Sequence, residues 1–307
     1  MKLWMQVNLN HSGKAKFAKL LAHHLKPYGI DTVFGRDGIK KKMDVVMGFS
    51  KFTGHAPGAK HILRLNGVNI INCKESRWRN GKIRQSILMA NQVIWQSAFA
   101  QRFGRELLCK PSCPEFVIHN GSLCTPLKGL NQPGQSVLVV GKWMKNPHLI
   151  HKRWKELIHV IESYHRKDVR FNLCGVCEFS PPKQPNVLVQ HVDEPKKMFT
   201  MMKDSTVMLN ISCYDACPNA VVEALVSGLP VICNTGDGTE ELVGKSGTVI
   251  DTGRPKPKLI NKFRFKRFDV AEWHAALDHW IDNPKRVRRN DLHITTIAKE
   301  YAKVIKA

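Results

Sequence analysis

Two carboxylates, Asp215 and Glu223, stand with seven residues between them in the run Tyr214-Asp215-Ala216-Cys217-Pro218-Asn219-Ala220-Val221-Val222-Glu223-Ala224-Leu225. Pro218 sits where a first helical turn opens, a position that tolerates a missing N–H. Val221, Val222, Leu225 and Val226 then recur at helical spacing. Gly228 ends the helix, Pro230 forbids its continuation, and Val231-Ile232 begins a buried strand. A helix N-terminus offers free N–H groups and a partial positive charge, a seat for a phosphate. Carboxylates on either side of that seat can hold neutral hydroxyls. The layout suits a phosphate flanked by sugars.

A diphosphate also needs cations. Lys145, Lys152 and Arg153 follow the apolar run Ser136-Val137-Leu138-Val139-Val140-Gly141 and can neutralise charge from the loop after that strand. Asn10-His11-Ser12-Gly13-Lys14 is a second strand-to-helix turn, where Gly13 permits close backbone approach to a ligand. The spacing G-x-x-x-x-G-K is absent, so this is not a P-loop. No Asp-x-Asp triplet occurs, and no metal is expected to be required. Cys174-Gly175-Val176-Cys177 lacks a second pair at metal spacing and reads as buried thiols. The group Cys109, Cys113, Cys124 and His119 is a weak metal pattern. Trp78, Trp95, Trp143 and Trp154 read as packing residues rather than stacking platforms for bases.

The surrounding pattern alternates strand and helix. Leu3–Leu9 reads as a strand, Ala15–Leu25 as a helix, and short strands follow at residues 32–34, 44–48 and 61–65. Ile83–Asn91 reads as helical and Ser97 caps a helix reaching Leu108. Residues 125–135, rich in Gly, Pro and polar residues, read as a linker. A second alternating half runs from Ser136 to a helix at 269–282, with the Lys/Arg-rich stretch Arg254–Arg267 as an exposed loop. A helix at 294–305 ends the chain. Such alternation implies parallel, doubly wound sheets. The expected division is 1–130, 131–290 and a C-terminal helix at 291–307. The 307 residues with 43% apolar content support two cores. No apolar run is long enough to span a membrane, the first residues are too quickly polar for a signal peptide, and nine scattered cysteines fit a reducing cytoplasm.

Several of these stretches together resemble the GT-B glycosyltransferases, specifically the large retaining family with the E-x7-E motif. Asp215 to Leu225, followed by Ser227-Gly228-Leu229-Pro230-Val231, is similar to that motif and its tail, with Asp215 in place of the usual first Glu. Gly238-Thr239-Glu240-Glu241-Leu242 resembles the segment that follows, and Ile118-His119-Asn120-Gly121 the end of the first domain. Gly141-Lys142-Trp143 and His151-Lys152-Arg153 resemble the opening of the donor domain. The resemblance implies two Rossmann-like domains facing a cleft, with the C-terminal helix packing back toward the first. It implies a nucleotide-sugar donor, most simply a UDP-sugar. Lys145, Lys152, Arg153, Gly13, Pro218 and Asn219 would surround the diphosphate, Glu223 the ribose hydroxyls, and Asp215 the transferred sugar. Asp215, Glu223 and Lys152 are the candidate catalytic residues, and the family offers no side-chain nucleophile to name.

The net charge of +23 bears on the acceptor. Residues 1–130 hold 21 Lys and Arg against 6 Asp and Glu, whereas 131–307 hold 27 against 19. Lys40, Lys41, Lys42, Lys51, Lys60, Arg64, Lys74, Arg77, Arg79, Lys82 and Arg84 make a basic supply on the acceptor half. A polyanionic acceptor follows most simply. The leading expectation is nucleic acid: DNA with a hydroxymethylated base, as a phage-encoded DNA-modifying member in the host cytoplasm would use. A lipid or surface glycan at an anionic membrane, reached by peripheral contact, is a second. A non-catalytic nucleic-acid-binding protein on a degenerate transferase fold is a third.

Overall fold

The computed structural model describes the chain except residues 10–11, 39–41, 125–134, 146–151, 193 and 262–264. The expected linker at 125–135 therefore lies almost wholly outside the described residues, as do His151, Lys40 and Lys41. The chain divides into two compact units. The first comprises Met1–Ser122, Lys256–Lys262 and Asp291–Ala307; the second comprises Leu123–Pro255 and Phe263–Asn290.

In the first unit six parallel strands are described: β1 (Lys2–Gln6), β2 (Asp31–Phe34), β3 (Val45–Phe49), β4 (Lys60–Leu65), β5 (Gln92–Trp95) and β6 (Glu115–Val117). Their order is β2-β1-β3-β4-β5-β6. β3 is buried along its whole length, as a sheet covered on both faces requires. Helices α1 (Gly13–Leu25), α2 (Lys74–Leu88) and α3 (Ala98–Leu107) connect the strands. Ser12 caps α1 by accepting from the Ala15 N–H at 3.3 Å, and Ser97 caps α3 by accepting from Ala100 at 3.1 Å.

The second unit repeats the plan with β7 (Ser136–Trp143), β8 (Arg170–Cys177), β9 (Val187–Gln190), β10 (Val207–Asn210), β11 (Val231–Asn234) and β12 (Gly247–Ile250). Their order is β12-β11-β10-β7-β8-β9, all parallel. Its helices are α4 (Trp154–Glu162), α5 (Pro195–Asp204), α6 (Asn219–Ser227), α7 (Gly238–Val243) and α8 (Val270–Asp282). The core gathers Val137, Leu157, Phe171, Leu209, Ile232, Trp273 and Leu277. Each fully buried aliphatic side chain contributes about 1.5–3 kcal/mol.

The final helix, α9 (Ile294–Lys306), returns to the first unit, where Ile297, Tyr301 and Ile305 join Phe17, Leu21 and Leu25 in one core. Arg64 secures that return. It is 1% exposed, lies 4.5 Å from the Phe17 ring and 4.9 Å from the Phe49 ring, and donates to the Tyr301 hydroxyl at 3.0 Å. It also donates to Asn66 and Asn120. Arg64 is thus a core residue and not part of a basic surface. Lys60 is likewise half-buried, donating to the Val304 carbonyl at 3.2 Å.

Other expectations shift as well. The helix expected from Ile83 begins at Lys74, because Cys73 caps it through an acceptor sulfur at 3.4 Å from the Ser76 N–H. The stretch 254–267 is not simply an exposed loop: Ile260 pairs with Ile71, and Asn72 donates to Asn261 at 3.0 Å, both within the first unit. Trp95 and Trp143 are buried, whereas Trp78 is 59% exposed. Cys174 is buried, and burial pushes its thiol up to about 12; Cys177 is only half-buried.

Candidate active site

In an open parallel sheet, ligands sit beyond the carboxyl ends of the strands where the strand order reverses. In the second unit that point lies between β7 and β10. The chain winds from β7 outward through β8 and β9, then returns to place β10 on the other side of β7. Pairing of β10 with β7 extends only over Val207↔Val137 and Met208↔Leu138, whereas β7 and β8 stay paired to Trp143↔Cys177. The carboxyl ends of β7 and β10 therefore separate, and the segments that follow them converge on the opening.

Lys152 arrives after β7 and Asp215 after β10. The Lys152 ammonium donates to Asp215 Oδ2 at 2.9 Å, with both side chains about one-fifth exposed. Arg153 follows immediately. It is buried, pairs with Glu156, and its guanidinium lies 4.7 Å from the Phe265 ring. Burial lowers its pKa, an effect opposed by the neighbouring Cys213 and Tyr214. Arg153 caps α4 in the left-handed region at φ 54°, and Tyr214 adopts φ 61° on the other side. Two non-glycine residues in this sparsely populated conformation flank the Lys152–Asp215 pair, a form of strain that persists where surrounding structure enforces it.

Asp215 is held by its backbone. Its N–H donates to Asp237 Oδ2 at 3.2 Å, and its carbonyl accepts from the Gly238 N–H at 2.8 Å. Its own Oδ1 accepts from the Cys217 N–H at 3.4 Å. Asp237 is 2% exposed and caps α7, accepting from Thr239 at 2.8 Å. Burial, and secondarily the Asp215 carboxylate, push the Asp237 carboxyl up to about 7. Asp237 was not among the residues singled out from sequence. The signal for it is local: Asp237-Gly238-Thr239-Glu240 has the spacing of a capping box, with the Glu240 carboxylate accepting from the Gly236 N–H at 2.8 Å, one residue before the cap.

α6 begins at Asn219, with Pro218 as its N-cap rather than its first helical residue. The Pro218 carbonyl accepts from Val221 and Val222, both at 3.1 Å, and no acidic residue occupies the first turn. Glu223 comes later, half-buried, among buried Val221, Val222, Ala224 and Leu225. Gly228 ends the helix at φ 94°, where a side chain would be strained.

The structure thus brings Asp215, Lys152 and Arg153 to one place, with Asp237 behind them and the start of α6 four residues beyond Asp215. Lys145 stands apart: it is exposed, and its backbone N–H donates to Glu178 at 2.8 Å. Gly13 belongs to the first unit, as the first residue of α1. There the strand order also reverses, between β1 and β3, and Lys14 donates to Ser50 Oγ at 2.9 Å across that point. Among the described residues no group of three or more His, Cys, Asp or Glu is placed to hold a metal ion. Among them, too, no helix is long and apolar enough to cross a membrane.

Residues 134–264 match the family model of Glycosyl transferases group 1. No curated protein matches the chain. Solved structures similar to it include a sucrose-phosphate synthase from Thermosynechococcus elongatus, at TM-score 0.67 and 11% identity over 99% of this chain and 94% of that one. HepE of Anabaena, in complex with UDP and glucose, has TM-score 0.64 and 13% identity over 100% of this chain and 99% of its own. The lipopolysaccharide outer core galactosyltransferase WaaB has TM-score 0.65 and 11% identity with both chains wholly covered. At such identities the likeness is one of fold. Residues 134–264 are thus similar to group 1 glycosyl transferases, within a chain of GT-B fold.

Proposed function

We propose that this protein is a retaining glycosyltransferase that moves a sugar from a nucleotide-sugar donor, a UDP-sugar, to hydroxymethylated bases of DNA in the cytoplasm. The observation that carries the donor reading is the Lys152–Asp215 pair at the point where the strand order of the second unit reverses. Lys152 neutralises Asp215 when no donor is bound. An arriving diphosphate offers Lys152 a stronger partner, since ammonium to phosphate is a charge-assisted bond to a group of higher charge. Asp215 is then released to accept from hydroxyls of the transferred sugar. Arg153 and the backbone N–H groups that open α6 at Asn219 supply further positive potential, and Glu223 takes the ribose hydroxyls. In the transfer, the bond from the anomeric carbon to the diphosphate oxygen breaks. The acceptor hydroxyl oxygen bonds the same carbon, and its proton leaves with the diphosphate. Solved complexes of HepE with UDP and with UDP-glucose support the choice of nucleotide.

The acceptor reading rests on the excess of 21 cations over 6 acidic residues in residues 1–130. The test is a thermal-shift screen of nucleotide sugars, followed by nucleoside diphosphate release with an acceptor panel of hydroxymethylated duplex, plain duplex and lipid extract. Release with the modified duplex, abolished in Glu223→Ala, is expected. Transfer to lipid extract alone would move the function to membrane glycans. Binding of DNA without release from any donor would make the protein a non-catalytic binder.

A further inference from the structure

Helix α2 exposes a surface that packing and helix stability leave unexplained. At 100° per residue its buried positions, Ser76, Asn80, Ile83 and Ile87, share one face. Trp78 projects from the opposite face, 59% exposed. Lys74 and Lys82 stand one turn before and after it, on the same outer stripe. Lys51, from the loop after β3, brings its ammonium 5.9 Å from the indole centroid. Gly81, three residues on, is exposed, and a Cβ added there would meet nothing within 4 Å. A glycine in mid-helix weakens the helix, and here it leaves space open beside the ring.

The charges are available too. The helix carries one carboxylate, Glu75, and Arg79 pairs with it. Among the described residues Lys51, Lys74, Arg77 and Lys82 have no carboxylate within ion-pair distance. A large aromatic surface ringed by uncompensated cations complements a ligand that is both anionic and flat.

We infer that the outer face of α2 docks a nucleic-acid strand, with Trp78 stacking on an unpaired base and Lys51, Lys74 and Lys82 neutralising the adjoining phosphates. The inference deepens the acceptor reading above and rests on it. Nucleic acid fits better than a membrane because Trp78 is alone. A helix that lies in a lipid interface buries a continuous apolar stripe, and the helix positions next to Trp78 are Lys74, Glu75, Gly81 and Lys82, none of them a large apolar residue. The exposed Leu88 lies ten residues further, about 15 Å along the axis. One indole between cations is the arrangement by which proteins hold single strands without regard to sequence, through stacking and phosphate contacts.

The experiment is fluorescence anisotropy of a labelled thymidine 20-mer with the full-length protein across a salt series. Trp78→Ala is expected to weaken binding tenfold or more, with Trp78→Phe recovering most of it. Lys74→Glu combined with Lys82→Glu is expected to flatten the logarithmic salt dependence by about 1.4, two phosphate contacts at roughly 0.7 each for a single strand. Thermal shift by UDP-sugar is expected to be unchanged in all three, which separates loss of this face from loss of fold. Equal affinity of wild type and Trp78→Ala for the 20-mer would overturn the inference and leave the acceptor reading standing. Binding of the wild type to phosphatidylserine vesicles and not to oligonucleotide would overturn both.

Discussion

Asp237 makes the pH dependence of stability a quantitative test of the candidate site. In the folded protein its carboxyl titrates near 7, against an ordinary value of 3.8. Between these values the folded state holds a proton that the unfolded chain has released. Stability therefore falls as pH rises through this window, by about 1.4 kcal/mol per pH unit while the two states differ by a full proton. From pH 5 to pH 8 the fall attributable to Asp237 is about 2.5 kcal/mol. Asp237→Asn removes the titration and keeps an N-cap acceptor. It sacrifices the bond from the Asp215 N–H, about 1 kcal/mol. The variant should melt below wild type at pH 5, gain on it steadily up to about pH 7 and level off above. In a unit of this size the difference in Tm should swing by about 5–10 °C in the variant's favour between pH 5 and pH 8. Scanning calorimetry at half-unit steps measures it. Parallel Tm curves for the two proteins across that range would refute the raised carboxyl and the burial that chiefly produces it. Asp215→Asn supplies a control, because removing the neighbouring charge should lower the pH at which the fall ends and make the whole fall smaller.

Other expectations follow from the same geometry. Lys152→Ala should lower nucleoside diphosphate release by about 10²–10³-fold, the usual cost of removing one group that stabilises developing charge, read as kcat in a coupled assay. Glu223→Gln should weaken UDP about tenfold or more in calorimetric titration, since it replaces hydrogen bonds to a carboxylate by neutral ones. Its Tm without ligand should stay close to wild type. Arg64→Ala should destabilise the first unit by about 3 kcal/mol or more, since it removes a buried donor to the Tyr301 hydroxyl and to the Asn120 carboxamide and leaves a void beside Phe17 and Phe49. Limited proteolysis should then release α9 first, while the second unit keeps its UDP-induced thermal shift.

Local chemistry is what the sequence determines here. The α6 segment is legible because its caps are local: Pro218 before it, Gly228 in the left-handed region after it, and apolar residues at helical spacing between them. The Ser97 cap and the buried strands β3 and β10 are legible for the same reason, as is the doubly wound plan that follows from their alternation. The start of α2 escaped because Cys73 is an unusual cap and the first turns of the helix bury only Ser76 and Asn80, so the apolar periodicity begins at Ile83. Tertiary structure decides what depends on distance along the chain. Lys152 meets Asp215 across 63 residues, and Arg64 meets Tyr301 across 237, because strand order and not sequence neighbourhood sets which loops adjoin. Burial is likewise a property of the fold. It turns Arg64 from one basic residue among many into a core clamp, leaves Trp78 outside, and lifts Asp237 toward neutral pH, because the cost of a charge depends on how much water the rest of the chain has displaced from it.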